Sequence, residues 1–190
     1  LVSPYGKYIA WFDPKDGDWY CWNLSSGEFV NLTSGLDVAF FDEEDDHPLG
    51  CFIPATSPRW VGEDEALLIA DRYDVWKFSP DGKKIENLTK GEGRRTGVQY
   101  RILDLGRRND PYLYQNIQSF PKKGKLYLTT FGEETSENGY AVANIAKPSV
   151  PQGFTDKWSF SSTVKAKDAG TIAYLKGNFR NPMNLHITRD

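Results

Sequence analysis

The chain has 190 residues and a formal net charge of -3, and 14% of it is aromatic, with 6 Trp and a single Met. So mild an acidic balance offers no electrostatic field for nucleic acid or a membrane surface, and neither is expected as a partner. No apolar run approaches the roughly 20 residues of a membrane span, no signal-peptide pattern opens the chain, and two cysteines make no disulfide framework.

The length fits one domain with a real core. Tyr, Phe, Trp, Val and Thr, interrupted by Gly and Pro, favour strands over helices. The first unit opens at Ser3-Pro4-Tyr5-Gly6, a turn leading into a strand over 7–12. Asp13 to Gly17 then turns the chain into a strand over 18–23, and a third strand runs over 28–32. Cys21 and Cys51 lack metal-ligand spacing and read as free, buried thiols.

Residues 36–52 form an acidic loop between units, with the run Asp42-Glu43-Glu44-Asp45-Asp46-His47 flanked by Val38 to Phe41 and by Cys51 to Ile53. Carboxylates and a histidine together raise a calcium or zinc site. The run has no ligand alternation, however, and reads as solvated.

The second unit opens at Ser57-Pro58-Arg59-Trp60, continues as a strand over 66–71, and holds the most informative stretch, Tyr73 to Thr89. There a strand over 74–78 meets the turn Ser79-Pro80-Asp81-Gly82 and a short strand ending in Asn87-Leu88-Thr89. Pro80 presets φ for a type I turn and Gly82 takes the conformation that closes it. Asp18 to Thr33 is an earlier copy, ending in Asn31-Leu32-Thr33. Ser3 and Ser57 stand 54 apart, Trp22 and Trp76 also 54, Thr33 and Thr89 56. Repeats at this spacing match blades of a β-propeller, each a small antiparallel sheet. A β-sandwich also has short, evenly spaced strands, but it does not require its sequence to repeat.

The third unit is degenerate, with strands over 100–104, 125–130 and 140–145, and turns at Lys122-Lys123-Gly124 and at Glu137-Asn138-Gly139. The pairs Arg94-Arg95 and Arg107-Arg108 read as solvated turn residues rather than an anion site. A break at Pro148 to Pro151 precedes a fourth unit, with strands over 157–165, 170–175 and 184–188. The expectation is an all-β chain, a partial β-propeller of three to four antiparallel blades over about 1–35, 53–90, 98–147 and 157–190. The ring would be incomplete, exposing edges that invite dimerisation.

The segments SPYGKYIAWFDPKDGDWYCWNLSSGEFVNLT, ADRYDVWKFSPDGKKIENLT and TIAYLKGNFRNPMNLHIT resemble the N-terminal β-propeller of the prolyl oligopeptidase family of serine peptidases. The likeness is greatest to bacterial members related to dipeptidyl peptidase IV. In the last segment Phe179, Pro182, Asn184 and Leu185 follow the family's strand, Phe, Pro, Asn-Leu, strand habit. TolB-like propellers share the Ser-Pro-x-Gly and Asp-Val-Trp features.

The resemblance implies a non-catalytic propeller that gates substrate entry to a following α/β-hydrolase domain, with peptides as the parent's substrates. It also implies a periplasmic or secreted location. No Gly-x-Ser-x-Gly nucleophile elbow occurs, and His47 and His186 lie near no serine motif. No catalytic, cofactor-binding or metal residue is assigned, and no cofactor is expected.

Relatives that cleave dipeptides bind the substrate amine through propeller carboxylates. The acidic pairs Glu43-Glu44 and Glu133-Glu134 match no such motif. Asn23, Asn31 and Asn87 head Asn-x-Ser/Thr sequons, of which the two Asn-Leu-Thr copies read as structural repeat ends. Trp22 and Trp76 read as wedges between blades rather than a carbohydrate platform, and His186 as a packing or surface residue.

Overall fold

The computed structural model describes residues 1–48, 50–105 and 119–189. Its described part is all-β, built of four antiparallel sheets that follow one another along the chain. The first holds β1 (Tyr8–Asp13), β2 (Asp18–Asn23) and β3 (Phe29–Asn31). The second holds β4 (Arg59–Val61), β5 (Ala66–Ala70), β6 (Val75–Phe78) and β7 (Ile85–Asn87). After a short helix, α1 (Glu92–Thr96), the third sheet holds β8 (Val98–Ile102), β9 (Lys125–Gly132), β10 (Asn138–Asn144) and β11 (Gln152–Asp156). The fourth holds β12 (Ser159–Lys165), β13 (Thr171–Gly177) and β14 (Asn184–Arg189). Every sheet is a meander, each strand pairing with the next in sequence, and where a tight turn joins two strands its chemistry sets their register. Among the described residues no helix is long and apolar enough to cross a membrane.

A repeated polar clasp explains the Asn-Leu-Thr copies. Thr89 Oγ1 donates to Asp74 Oδ1 at 2.6 Å and accepts from the Val75 amide at 3.1 Å, while the Thr89 amide donates to Asn87 Oδ1 at 3.0 Å. In the first sheet Thr33 Oγ1 donates to Asp18 Oδ1 at 2.6 Å and accepts from the Trp19 amide at 3.0 Å, and the Thr33 amide donates to Asn31 Oδ1 at 3.0 Å. Thr33 and Thr89 are both buried, so each clasp satisfies backbone groups that would otherwise be desolvated without a partner. Between β6 and β7 the Gly82 amide donates to the Ser79 carbonyl at 2.9 Å, with Gly82 at φ +69°, closing the expected turn.

The clasp fixes the true repeat register, and it corrects the pairing of Trp22 with Trp76. Trp76 lies opposite Asn87 as Tyr20 lies opposite Asn31, so the counterpart of Trp76 is Tyr20, and that of Trp22 is Phe78. Trp76 packs between the first two sheets, with its ring 6.1 Å from that of Phe40. Trp22 does not wedge two sheets; it is 41% exposed.

Stacking of the sheets makes the core. All five β5 residues are buried, and alternation along the strand sends them to two different neighbours. Leu67 and Ile69 join Ala10, Trp19, Cys21 and Leu32 of the first sheet. Ala66, Leu68 and Ala70 join Tyr100, Leu126, Leu128 and Ala141 of the third. Each fully buried Leu or Ile contributes about 1.5–3 kcal/mol, so the second sheet is the best-stabilised layer. The fourth sheet meets the third through aromatics, with the Tyr140 ring 5.2 Å from Phe160 and 5.7 Å from Tyr174.

Several expectations need correction. Asn138-Gly139 is not a turn. Both residues lie in β10, and the chain reverses over 133–136 with Ser136 at φ +56°. Gly139 serves closeness instead, since a Cβ there would run into the Phe154 carbonyl oxygen of β11. The third unit does not end at 147: β11 pairs with β10 and completes a four-stranded sheet. Its first strand is β8 rather than 100–104, and Arg94-Arg95 lie in α1 rather than a turn. Arg59 and Trp60, expected in an opening turn, belong to β4. Cys21 is buried as expected, but Cys51 is exposed. Arg107-Arg108 lies outside the described residues.

Candidate functional site

A polar cleft of about 230 Å³ opens where the acidic segment passes the second and third sheets, lined by Phe41, Asp42, Glu43, Glu44, Ala55, Arg72, Gln99 and Arg101. Arg72 comes to it from the tight Asp71-Arg72-Tyr73-Asp74 connection between β5 and β6. Asp71 is 1% exposed and holds this connection from inside. Its Oδ1 accepts the amides of Tyr73 at 2.5 Å and Asp74 at 2.7 Å, and its Oδ2 accepts Trp76 Nε1 at 2.9 Å. With the backbone fixed, Arg72 and Tyr73 project toward the turn after β9, which carries Glu133.

Glu133 is the hub. Its Oε1 accepts Arg72 Nε at 2.7 Å and Gln99 Nε2 at 2.8 Å, and its Oε2 accepts the Tyr73 hydroxyl at 2.5 Å. Partial burial by itself raises the carboxyl's pKa, but the hydrogen bonds from Arg72, Tyr73 and Gln99 outweigh it and bring it down to about 2. The same bond to Glu133 raises the Tyr73 hydroxyl. Arg72 is raised by its bonds to Glu133 and then Glu44, whose Oε1 lies 2.5 Å from the second guanidinium nitrogen. Arg72 thus bridges the acidic segment to the third sheet.

Arg94 stands with its guanidinium 4.9 Å from the Tyr73 ring centre, and 3.8 Å from Asp71 and 3.9 Å from Glu43. Arg101 sits deeper, donating to the Asp71 and Tyr100 carbonyls and to Gln99 Oε1. Burial lowers its pKa.

The acidic segment reaches this position because its apolar flanks are anchored. Phe40 is buried between the first two sheets, Phe41 stacks on Phe52 at 4.3 Å, and the Asp42 and Ala55 amides donate to Ile53 and Phe40 across the excursion. The acids themselves stay at the surface, Asp42, Glu43, Glu44 and Asp46 being exposed. Asp45, Asp46 and His47 lie close enough together to hold an ion, and His47 Nδ1 pairs directly with Asp45.

Of the residues weighed from sequence, Glu43, Glu44, Glu133 and Arg94 are brought together, while Glu134 and Arg95 stay outside, Arg95 pairing with Glu92. Sequence reasoning missed Arg72, Tyr73, Gln99 and Arg101. The one available signal was Arg72-Tyr73 between two aspartates at a strand junction. His186 lies in β14, stacked on Tyr174 at 5.7 Å, and belongs to the fourth sheet. The cleft lining offers carboxylates, guanidinium groups and one side-chain amide, which can hold a small polar group through charge and hydrogen bonds. The chain matches no known protein-family model, and no characterised protein shows significant sequence similarity to it.

Proposed function

We propose that the four sheets are blades of a β-propeller, and that the chain is the non-catalytic propeller portion of a serine peptidase of the prolyl oligopeptidase family. In this reading it gates peptide access to an α/β-hydrolase domain, its partner, in a periplasmic or secreted protein. The observation that carries the blade reading is β5, buried on one face by the preceding sheet and on the other by the following one. A two-layer sandwich gives each sheet one buried face, whereas consecutive blades bury both. The repeated Asp-Thr-Asn clasp supports the same reading, because like units carry like closures. The peptidase part rests on the sequence resemblance.

Purified protein is expected to leave chromogenic dipeptide and ester substrates intact. Turnover abolished by a serine-directed inhibitor would overturn the proposal. A TolB-like propeller acting as a protein-interaction module is the second reading, favoured by the shared Ser-Pro-x-Gly and Asp-Val-Trp features. Coding sequence following Asp190 separates the two, since a Gly-x-Ser-x-Gly run followed by Asp and His supports the peptidase and further blades without it support the module.

A further inference from the structure

Three arginines gather at the cleft from separate elements: Arg72 from the β5–β6 connection, Arg94 from α1 and Arg101 from β8. Their capacity to donate is only partly used. A guanidinium carries five N–H donors in a rigid fork. Arg101 directs three of them to neutral acceptors, the Asp71 carbonyl at 3.3 Å, the Tyr100 carbonyl at 3.0 Å and Gln99 Oε1 at 3.2 Å. Its Nε–H and one further N–H meet no acceptor among the described residues, and no carboxylate there lies within hydrogen-bonding reach of it. Arg94 lies over the Tyr73 ring, but its nearest carboxylates, Asp71 and Glu43, stand 3.8 and 3.9 Å away, beyond hydrogen-bond length. Arg72 alone is well paired, with Glu133 from the third sheet and Glu44 from the acidic segment.

The acidic segment holds its place here loosely. Asp42, Glu43 and Glu44 line the cleft, yet the Glu44 side chain is 69% exposed and makes the segment's one hydrogen-bonded pairing with an arginine among the described residues. Exposed pairs of this kind contribute little. The apolar anchors lie at the base of the excursion, Phe40 and Phe41 before the acids and Phe52 after them. With the acidic tip set aside, Arg72, Arg94 and Arg101 face two carboxylates, Asp71 and Glu133, which leaves one positive charge without a counterpart.

We infer that the cleft is a carboxylate-binding site, that the Glu43-Glu44 tip is its internal competitor, and that its ligand is an acidic peptide segment. That segment displaces the tip and places its side-chain carboxylates on Arg101 and Arg94. A carboxylate fits because the planar guanidinium fork takes it bidentately. A peptide fits because the group now standing at the mouth is itself a run of carboxylates on a peptide backbone. The inference is independent of the peptidase reading, since every residue it uses belongs to the acidic segment, the second and third sheets or α1.

The test titrates the protein by isothermal calorimetry at low salt with acetyl-Asp-Glu-Glu-Asp-amide, the sequence of residues 42–45. The double variant Glu43→Gln, Glu44→Gln removes the competitor's charge at exposed positions, and is expected to bind the peptide about two- to five-fold more tightly than the wild type. Arg101→Gln is expected to weaken binding about ten-fold or more, as loss of hydrogen bonds to a charged group does. Arg101 also holds neighbouring carbonyls, so the partly exposed Arg94→Gln is the second variant, expected to weaken binding about three- to ten-fold. Circular dichroism confirms the fold of each. The uncharged peptide acetyl-Asn-Gln-Gln-Asn-amide is expected not to bind. No heat from the double variant at about 5 mM acidic peptide, equal affinity in the double variant and the wild type, or binding unmoved by either folded arginine variant overturns the inference. So does equal binding of the uncharged peptide, or inorganic phosphate that binds as tightly as the acidic one.

Discussion

Protonating or replacing Glu133 is expected to loosen the junction between the acidic segment, the second sheet and the third. The carboxyl falls from its ordinary 4.5 to about 2 in the folded protein. A depressed folded pKa means that the unfolded chain takes up the proton first. The stabilisation is therefore whole above the unfolded value and fades as pH falls from about 5 toward 2. The drop sets a ceiling of about 3.4 kcal/mol, which solvent screening at the mouth of a cleft reduces to about 1–2 kcal/mol. Glu133→Gln keeps the shape and one acceptor for Tyr73, but it removes the charge facing Arg72. Urea unfolding at steps from pH 7 to pH 2 is expected to show the variant about 1–2 kcal/mol less stable at neutral pH, with the gap closing by pH 2. Subtracting the variant cancels the acid sensitivity of other carboxylates. A gap that stays constant with pH, or no gap at pH 7, would refute the reasoning.

Three other outcomes are expected. Leu68→Ala removes a fully buried side chain between the second and third sheets, at a cost of about 2–5 kcal/mol, readable as a lowered urea midpoint with unchanged slope. Thr89→Val keeps the volume of Thr89 but strips the clasp, leaving the Val75 amide and the buried Asp74 short of a partner. A loss of about 1–3 kcal/mol follows, with faster hydrogen exchange at the Val75 amide, and unchanged exchange there would count against the clasp. Burial raises the Cys21 thiol to about 12, whereas Cys51 is exposed. A disulfide reagent at pH 8 should therefore label one thiol per folded chain at Cys51, and Cys21 only after unfolding; mass spectrometry of the labelled peptides decides.

The sequence by itself determined what is local. The strands β2, β6 and β14 and the Ser79 to Gly82 turn were legible because alternation and turn chemistry act over a few residues. The Asn-Leu-Thr copies already marked the units, since a motif that clasps its own strand pair repeats with that pair. Glu44 and Glu133 were visible as acidic residues, but not as partners.

Only the tertiary structure decided which residues meet. Arg72 joins carboxylates 28 and 61 residues away along the chain, and no local pattern encodes a pairing set by how sheets stack. Strand pairing within the sheets overrode three local signals as well. Asn138-Gly139 went into a strand because β11 presses against it, and residues after Pro151 became a fourth strand because β10 had a free edge. The counterpart of Trp22 became Phe78 because clasp geometry, not residue identity, sets the register. Hydrogen bonding within a sheet is satisfied between neighbours in sequence, whereas burial of its two faces depends on sheets far along the chain. Strands were therefore readable one at a time, and the cleft was not.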